Sequence, residues 1–184
     1  MELLCLDIIN SNRFGEYLAK PGRDMLNNAN WLHVLVDKWN LDVKFPIQSN
    51  DLKILQELRD NMQQAVKYLN LDTKLCAEEL VKVNSILKNT PCQIKLVYKD
   101  GNFVLQDIPL CDSWANVIWS TAYSFAKLIS EYDITRIKIC ENKDCGWIFY
   151  DESKSRTRRW CDHKICGNLM KVRRYRERQK QTEQ

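Results

Sequence analysis

Two histidines in 184 residues leave little room for general acid–base catalysis built on imidazole. Such chemistry would have to rest on carboxylates, and none of these forms a recognisable pair. Glycine is also scarce, at five. The chain contains no Gly-rich phosphate loop, no Gly-x-Ser-x-Gly elbow and no His-Glu-x-x-His motif. No catalytic residue is therefore assigned, and the expectation is a binding protein rather than an enzyme. Long apolar runs are missing too: no stretch of about 18 uninterrupted apolar residues could span a membrane. The apolar opening from Met1 to Asn12 is broken by Glu2 and Asp7 and has no basic residues ahead of it, unlike a signal peptide. A cytoplasmic location is the resulting expectation. No repeat or low-complexity segment appears.

What is present is the composition of a globular protein, 45% hydrophobic and 28% charged. The net charge of +4 is unevenly spread. Residues 1–135 hold 14 Lys/Arg and 17 Asp/Glu, a net of −3; residues 136–184 hold 14 and 7, a net of +7. Only the C-terminal end is thus a candidate for binding a polyanion.

Hydrophobic periodicity predicts helices over Asp24–Trp39, Ser49–Leu69, Asp72–Leu87 and Asp112–Tyr132. Ser49 or Asn50, Asp72 or Thr73, and Asp112 or Ser113 are candidate caps for the last three. Between the third and fourth, two β-prone runs flank Asp100-Gly101, the signal of a hairpin. The expected fold is mainly α with a small β-hairpin (α+β). A helical domain of residues 1–135 would precede a module at 136–184.

That module carries four of the eight cysteines: Cys140, Cys145, Cys161 and Cys166, in two pairs with equal gaps of four and fifteen residues between. In a reducing compartment clustered cysteines bind metal or do redox work. Two symmetric pairs suit one tetrahedral structural zinc. The gaps are not Cys-x-x-Cys, which leaves redox chemistry as the weaker alternative, and His163 is an alternative ligand inside the second pair. Gly146 and Gly167 follow the pairs, where tight backbone is needed. Cys5, Cys76, Cys92 and Cys111 sit among apolar neighbours and read as buried hydrophobes. Ordering the chain from Cys140 to Cys166 costs more than its few large apolar side chains and the metal return, so the module should also dock on the helical domain.

Asp151–Arg159 reads as an exposed basic loop, and a helix is expected from Asn168 through Gln179. Candidate nucleic-acid contacts are Lys154, Arg156, Arg158 and Arg159 on the loop, and Lys171, Arg173, Arg174, Arg176, Arg178 and Lys180 on the helix. Met170 or Leu169, Val172 and Tyr175 are expected to anchor the helix. Four thiolates and one zinc carry −2 together, which lowers the module to about +5, so some arginines are expected to serve the site itself. DNA is the favoured partner. RNA, stacked on Trp147, Tyr150 or Trp160, is the alternative. A third reading places a small-molecule-binding or enzymatic pocket near Asp7, Asn10 and Arg13 in the helical domain, with the zinc as a brace; a homodimer is also considered.

The sequence from Cys140-Glu141-Asn142-Lys143-Asp144-Cys145-Gly146-Trp147 to Cys166-Gly167-Asn168, followed by Lys171-Val172-Arg173-Arg174-Tyr175-Arg176, resembles the CGNR zinc finger family. Thr135–Ile139 is like that family's lead into its first cysteine. Leu4–Ser11 resembles the opening of the ABATE-type domain that precedes the finger in bacterial proteins described as stress-induced transcription regulators. The resemblance implies zinc held by the four cysteines, and nucleic-acid binding. One departure is clear: the family's Cys-Gly-Asn-Arg reads Cys166-Gly167-Asn168-Leu169 here, so whatever the arginine does is not done at Leu169.

Overall fold

The computed structural model describes residues 2–12, 23–71, 77–89, 92–109 and 113–182. In chain order the elements are α1 (Leu4–Ile9), α2 (Ala29–Lys38), α3 (Ser49–Asn70), α4 (Val81–Asn89), β1 (Cys92–Lys99), β2 (Asn102–Pro109), α5 (Trp114–Glu131), β3 (Ile137–Ile139), β4 (Ile148–Tyr150) and α6 (Asn168–Thr182). The mainly helical α+β class holds, but the described residues form two antiparallel hairpins, β1–β2 and β3–β4, where one was expected. Three-residue strands are too short to display a period-two pattern. No helix among the described residues is long and apolar enough to cross a membrane.

The core is built around α5, which packs against α1, α3 and α4. Phe125, Val117 and Leu128 of α5 meet Ile8 and Ile9 of α1 and Leu55, Leu58 and Met62 of α3, all fully buried. Helix α1 has only six residues and no side-chain cap, yet five of the six are buried. Packing holds it, since propensity cannot sustain so short a helix. Its C-terminal end is tied down by α3. Gln63 donates to Ile9 O (2.6 Å) and to Asn12 Oδ1 (2.8 Å), while the buried Arg59 reaches Ser11 Oγ and Asp24 (2.7 Å).

Several helix starts differ from expectation. The predicted helix over Asp24–Trp39 is split into a 3-10 turn at Met25–Asn27 and then α2, because Asn28 accepts from the N–H of Asn30 and Trp31 and caps the second piece. Helix α3 begins at Ser49 itself, after an extended Gln48 and with no side-chain cap. Of the predicted Asp72–Leu87 helix, residues 72–76 lie outside the described residues; the rest is a 3-10 turn at Ala77–Leu80 leading into α4. Ser113 precedes α5 without a capping bond, and Asp112 lies outside the described residues.

Candidate metal centre and the helix it fixes

The β3–β4 hairpin is a wall shared between the helical core and the cysteine module. Ile137 pairs with Tyr150 and Ile139 with Ile148, and this face joins the helical core. Alternation puts Phe149, Cys140 and Trp147 on the other face, in a separate cluster with Cys145, Trp160, Cys161 and Cys166. Both outer edges of the hairpin are closed by asparagines of the helical part. Asn10 Nδ2 donates to Ile148 O and Asn10 Oδ1 accepts from Ile148 N, each at 2.8 Å. At the end of α3, Asn70 Nδ2 donates to Ile137 O at 3.1 Å. The docking expected on energetic grounds is thus built from backbone-like amide pairing plus apolar burial.

Cys140 follows β3, Cys145 closes the first turn, Cys161 precedes the π-helical turn His163–Gly167, and Cys166 lies within that turn, which runs into α6. Their four sulfurs lie within 4.8 Å of one another. Cys145 to Cys161 is 3.6 Å and Cys161 to Cys166 is 3.7 Å. Sulfurs bound about 2.3 Å from a tetrahedral zinc would be about 3.8 Å apart, whereas a disulfide requires about 2.05 Å. The cluster has the dimensions of a zinc cage. Hydrogen bonds from the Cys145 and Cys161 thiols hold Cys140 far below the ordinary thiol range, and Cys145 and Cys161 are pushed up in return by their bonds to Cys140. Four thiolates this close need a cation between them, and one zinc ion satisfies that need. His163 is exposed and stays out of the ligand set.

Local chemistry shapes both knuckles. Gly146 sits at φ 62°, which a side chain would disfavour, and lets Cys140 N reach Trp147 O at 2.8 Å. Gly167 is needed for a different reason: a Cβ there would lie 3.3 Å from the Trp160 ring. Asp162 accepts from Ile165 N (2.8 Å) and caps the turn into Cys166. Asn142, 1% exposed, donates to Cys166 Sγ and accepts from Asp144 N, holding the first turn against the second pair. Supporting hydrogen bonds of this kind orient metal ligands.

The loop between the pairs is more ordered than expected. Asp151 is fully buried and accepts from Lys138 Nζ (2.7 Å), Ser153 N (2.9 Å) and Arg158 N (2.9 Å). Burial pushes its carboxyl up, but Lys138 and these backbone donors outweigh that and hold it well below the usual carboxylate range. Neither Asn142 nor Asp151 was identified from sequence. The available signals were an asparagine two residues after a ligand cysteine, and an Asp-x-Ser turn leaving a β-prone run.

The candidate nucleic-acid residues fall into two groups. Arg158 is a structural clamp that donates to the carbonyls of Trp160 and Cys161 and lies over the Phe149 ring. Arg159 forks onto Glu141, Arg173 pairs with Asp144, and Arg156 meets Asp133. Arg174 stacks over Trp160. Arg159, Arg173 and Arg174 thus tie the two cysteine loops and α6 together, while Arg156 and Arg158 brace the loop between the pairs. By contrast, Lys154, Lys171, Arg176 and Lys180 are exposed and, among the described residues, have no carboxylate partner; Arg178 is exposed beside them. Of the expected apolar anchor of α6, Met170 is half-buried but Leu169, Val172 and Tyr175 are exposed, and Arg173 and Arg174 make the contacts to the module.

The proposed pocket residues are engaged elsewhere. Asp7 accepts from Lys38 Nζ and Trp39 Nε1, both at 2.8 Å. Asn10 is 2% exposed and holds Ile148, and Arg13 lies outside the described residues. A cavity of about 310 Å³ does open nearby, between Leu4, Trp39, Trp119, Tyr123, Lys127 and Tyr132.

A docked four-cysteine zinc module, continued by a basic helix, is the class of site these residues define. Residues 136–179 match the family model of the CGNR zinc finger, and this segment is a CGNR zinc finger. No curated protein matches the chain at significant similarity.

Proposed function

We propose that the chain is a zinc-dependent nucleic-acid-binding protein of the cell interior, acting on duplex DNA as a transcription regulator. The observation that carries this reading is α6. A metal-fixed scaffold holds one end of a 15-residue helix, and its outer side presents Lys171, Arg176, Arg178 and Lys180 around Val172 and Tyr175. A helix of about 22 Å suits the major groove of B-DNA, which is about 12 Å wide. Cations on its flanks would meet phosphates, while the apolar residues between them would meet base edges and thymine methyls. A-form RNA offers no groove that admits a helix. Stacking on RNA bases is less favoured because Trp147 and Trp160 pack around the cysteine cluster and Tyr150 packs on the helical core. In this reading no residue is catalytic, and the aromatic cavity beside α5 is where the helical part would take up a small signalling ligand.

Binding of zinc-loaded protein to a duplex across a salt series tests the reading. Four contacts, from Lys154, Lys171, Arg176 and Lys180, give a log–log slope near −3.6, at about −0.9 per phosphate. Replacing Lys171, Arg176 and Lys180 by alanine should flatten the slope to about −0.9. Absence of binding at low salt would sink the proposal, and preference for single strands would favour RNA.

A further inference from the structure

The β1–β2 hairpin has a face that nothing among the described residues covers. Asp100 and Gly101 both take positive φ, 53° and 83°, and make a two-residue turn that leaves the strands in register. Leu96 lies opposite Leu105 and Tyr98 opposite Phe103, so these four side chains share one face. Each is 62–73% exposed, and the Tyr98 and Phe103 rings are 5.0 Å apart. The other face carries the Val97–Val104 pair between Lys95 and the Lys99–Asn102 pair. No described hairpin residue belongs to either buried cluster. A two-stranded ribbon is marginal in water on its own and needs a further layer.

We propose that a second copy of the chain supplies that layer, with the Leu96–Tyr98–Phe103–Leu105 face packed on its own equivalent about a two-fold axis. The four residues carry no formal charge, so the apolar patch they form is self-complementary. Covering two aromatics at about 150–250 Å² each, together with two leucines, removes on the order of 500 Å² per copy from water. Flanking side chains bring this toward the roughly 800 Å² per partner of a standard interface. The composition is that of a homodimer interface, which is more apolar than a transient one. Packed face to face at about 10 Å, the two ribbons would interleave these side chains and leave both lysine faces in solvent. The proposal stands independently of nucleic-acid binding.

Light scattering on the full, zinc-loaded chain across two decades of micromolar concentration reads the result. The expected mass is twice the 21.8 kDa of one chain. The Leu96→Lys/Phe103→Lys variant should give the single-chain mass, with a dissociation constant raised at least about 100-fold. The opposite-face variant Lys95→Glu/Lys99→Glu should remain a dimer. Circular dichroism and zinc content show whether the variants fold, and Leu105→Ser is the milder replacement should the double variant not. A single-chain mass for the unmodified protein would overturn the proposal, as would a folded face variant that remains dimeric.

Discussion

Replacing Asn10 by alanine should undock the zinc module from the helical core, although the residue lies 130 positions before the first ligand cysteine. The substitution strands the Ile148 N–H and C=O, each paired with Asn10 at 2.8 Å, and removes a third bond from Asn10 to Leu6 O. A buried backbone group left unpaired costs about 1–3 kcal/mol, so the two together cost about 2–6 kcal/mol. That is a large part of a total stability of about 5–15 kcal/mol. At about 2–4 °C per kcal/mol for a chain of this size, melting should fall by at least about 4 °C. Asn10→Asp is the sharper control. Its carboxylate can still accept from Ile148 N, but it faces two carbonyl oxygens that need a donor, so this near-isosteric change should destabilise at least as much as alanine. Asn70→Ala removes two partly buried bonds, to Ile137 O and Val66 O, and should cost about 1–3 kcal/mol. Calorimetry gives the melting temperatures, and a chromogenic chelator gives the rate of zinc release, which should rise in Asn10→Ala. A melting temperature within about 2 °C of the parent, with unchanged zinc release, would refute the clamp.

Other consequences concern the loop, the core thiol and α6. Lys138→Met leaves the Asp151 carboxylate buried without its cation and should cost about 3–5 kcal/mol, read by denaturant melts; a loss under about 1 kcal/mol would mean the charge is solvated. Because the folded Asp151 pKa is depressed, its contribution is complete above the ordinary carboxylate pKa and is lost only as pH falls through the folded value, so the Lys138→Met deficit should be constant from about pH 5 to 8. Burial pushes the Cys5 thiol up to about 12, so folded protein should resist alkylation there at pH 8.5. The raised value also means that stability present below pH 9.0 is lost as pH rises toward about 12, and Cys5→Ala should flatten that decline. Leu169 is 37% exposed on α6, so Leu169→Arg should steepen the salt slope of duplex binding by about 0.9 without changing zinc content.

The long elements were legible because their signals are local. The apolar stripes of α3 and α5 recur at helical spacing, and Asp100-Gly101 between β-prone runs marks a hairpin. Cysteine spacing alone located the cage, because a tetrahedral ion needs two close pairs brought together by an intervening loop. What the sequence hid is long-range pairing. Asn10 closes a short apolar run and looks like a surface or capping residue; its partner is 138 residues away. Arg59 and Gln63 lie beside the apolar stripe of α3, and nothing local distinguishes them from its solvent face, yet both are buried against the end of α1. The basic residues of the module form one run in sequence, but carboxylates at Asp133, Glu141 and Asp144 divide them into those that hold the module together and those that face outward. Composition records the charges but not the pairs.

The most direct test is the zinc content of purified protein and of its cysteine variants. The parent and Cys5→Ser should each hold one zinc ion per chain, released on titration of Cys140, Cys145, Cys161 and Cys166 with an organomercurial. Each single Cys→Ser change at those four positions should lower zinc occupancy or affinity sharply. Zinc-free parent protein that remains fully folded, or undiminished zinc in Cys161→Ser, would contradict the account.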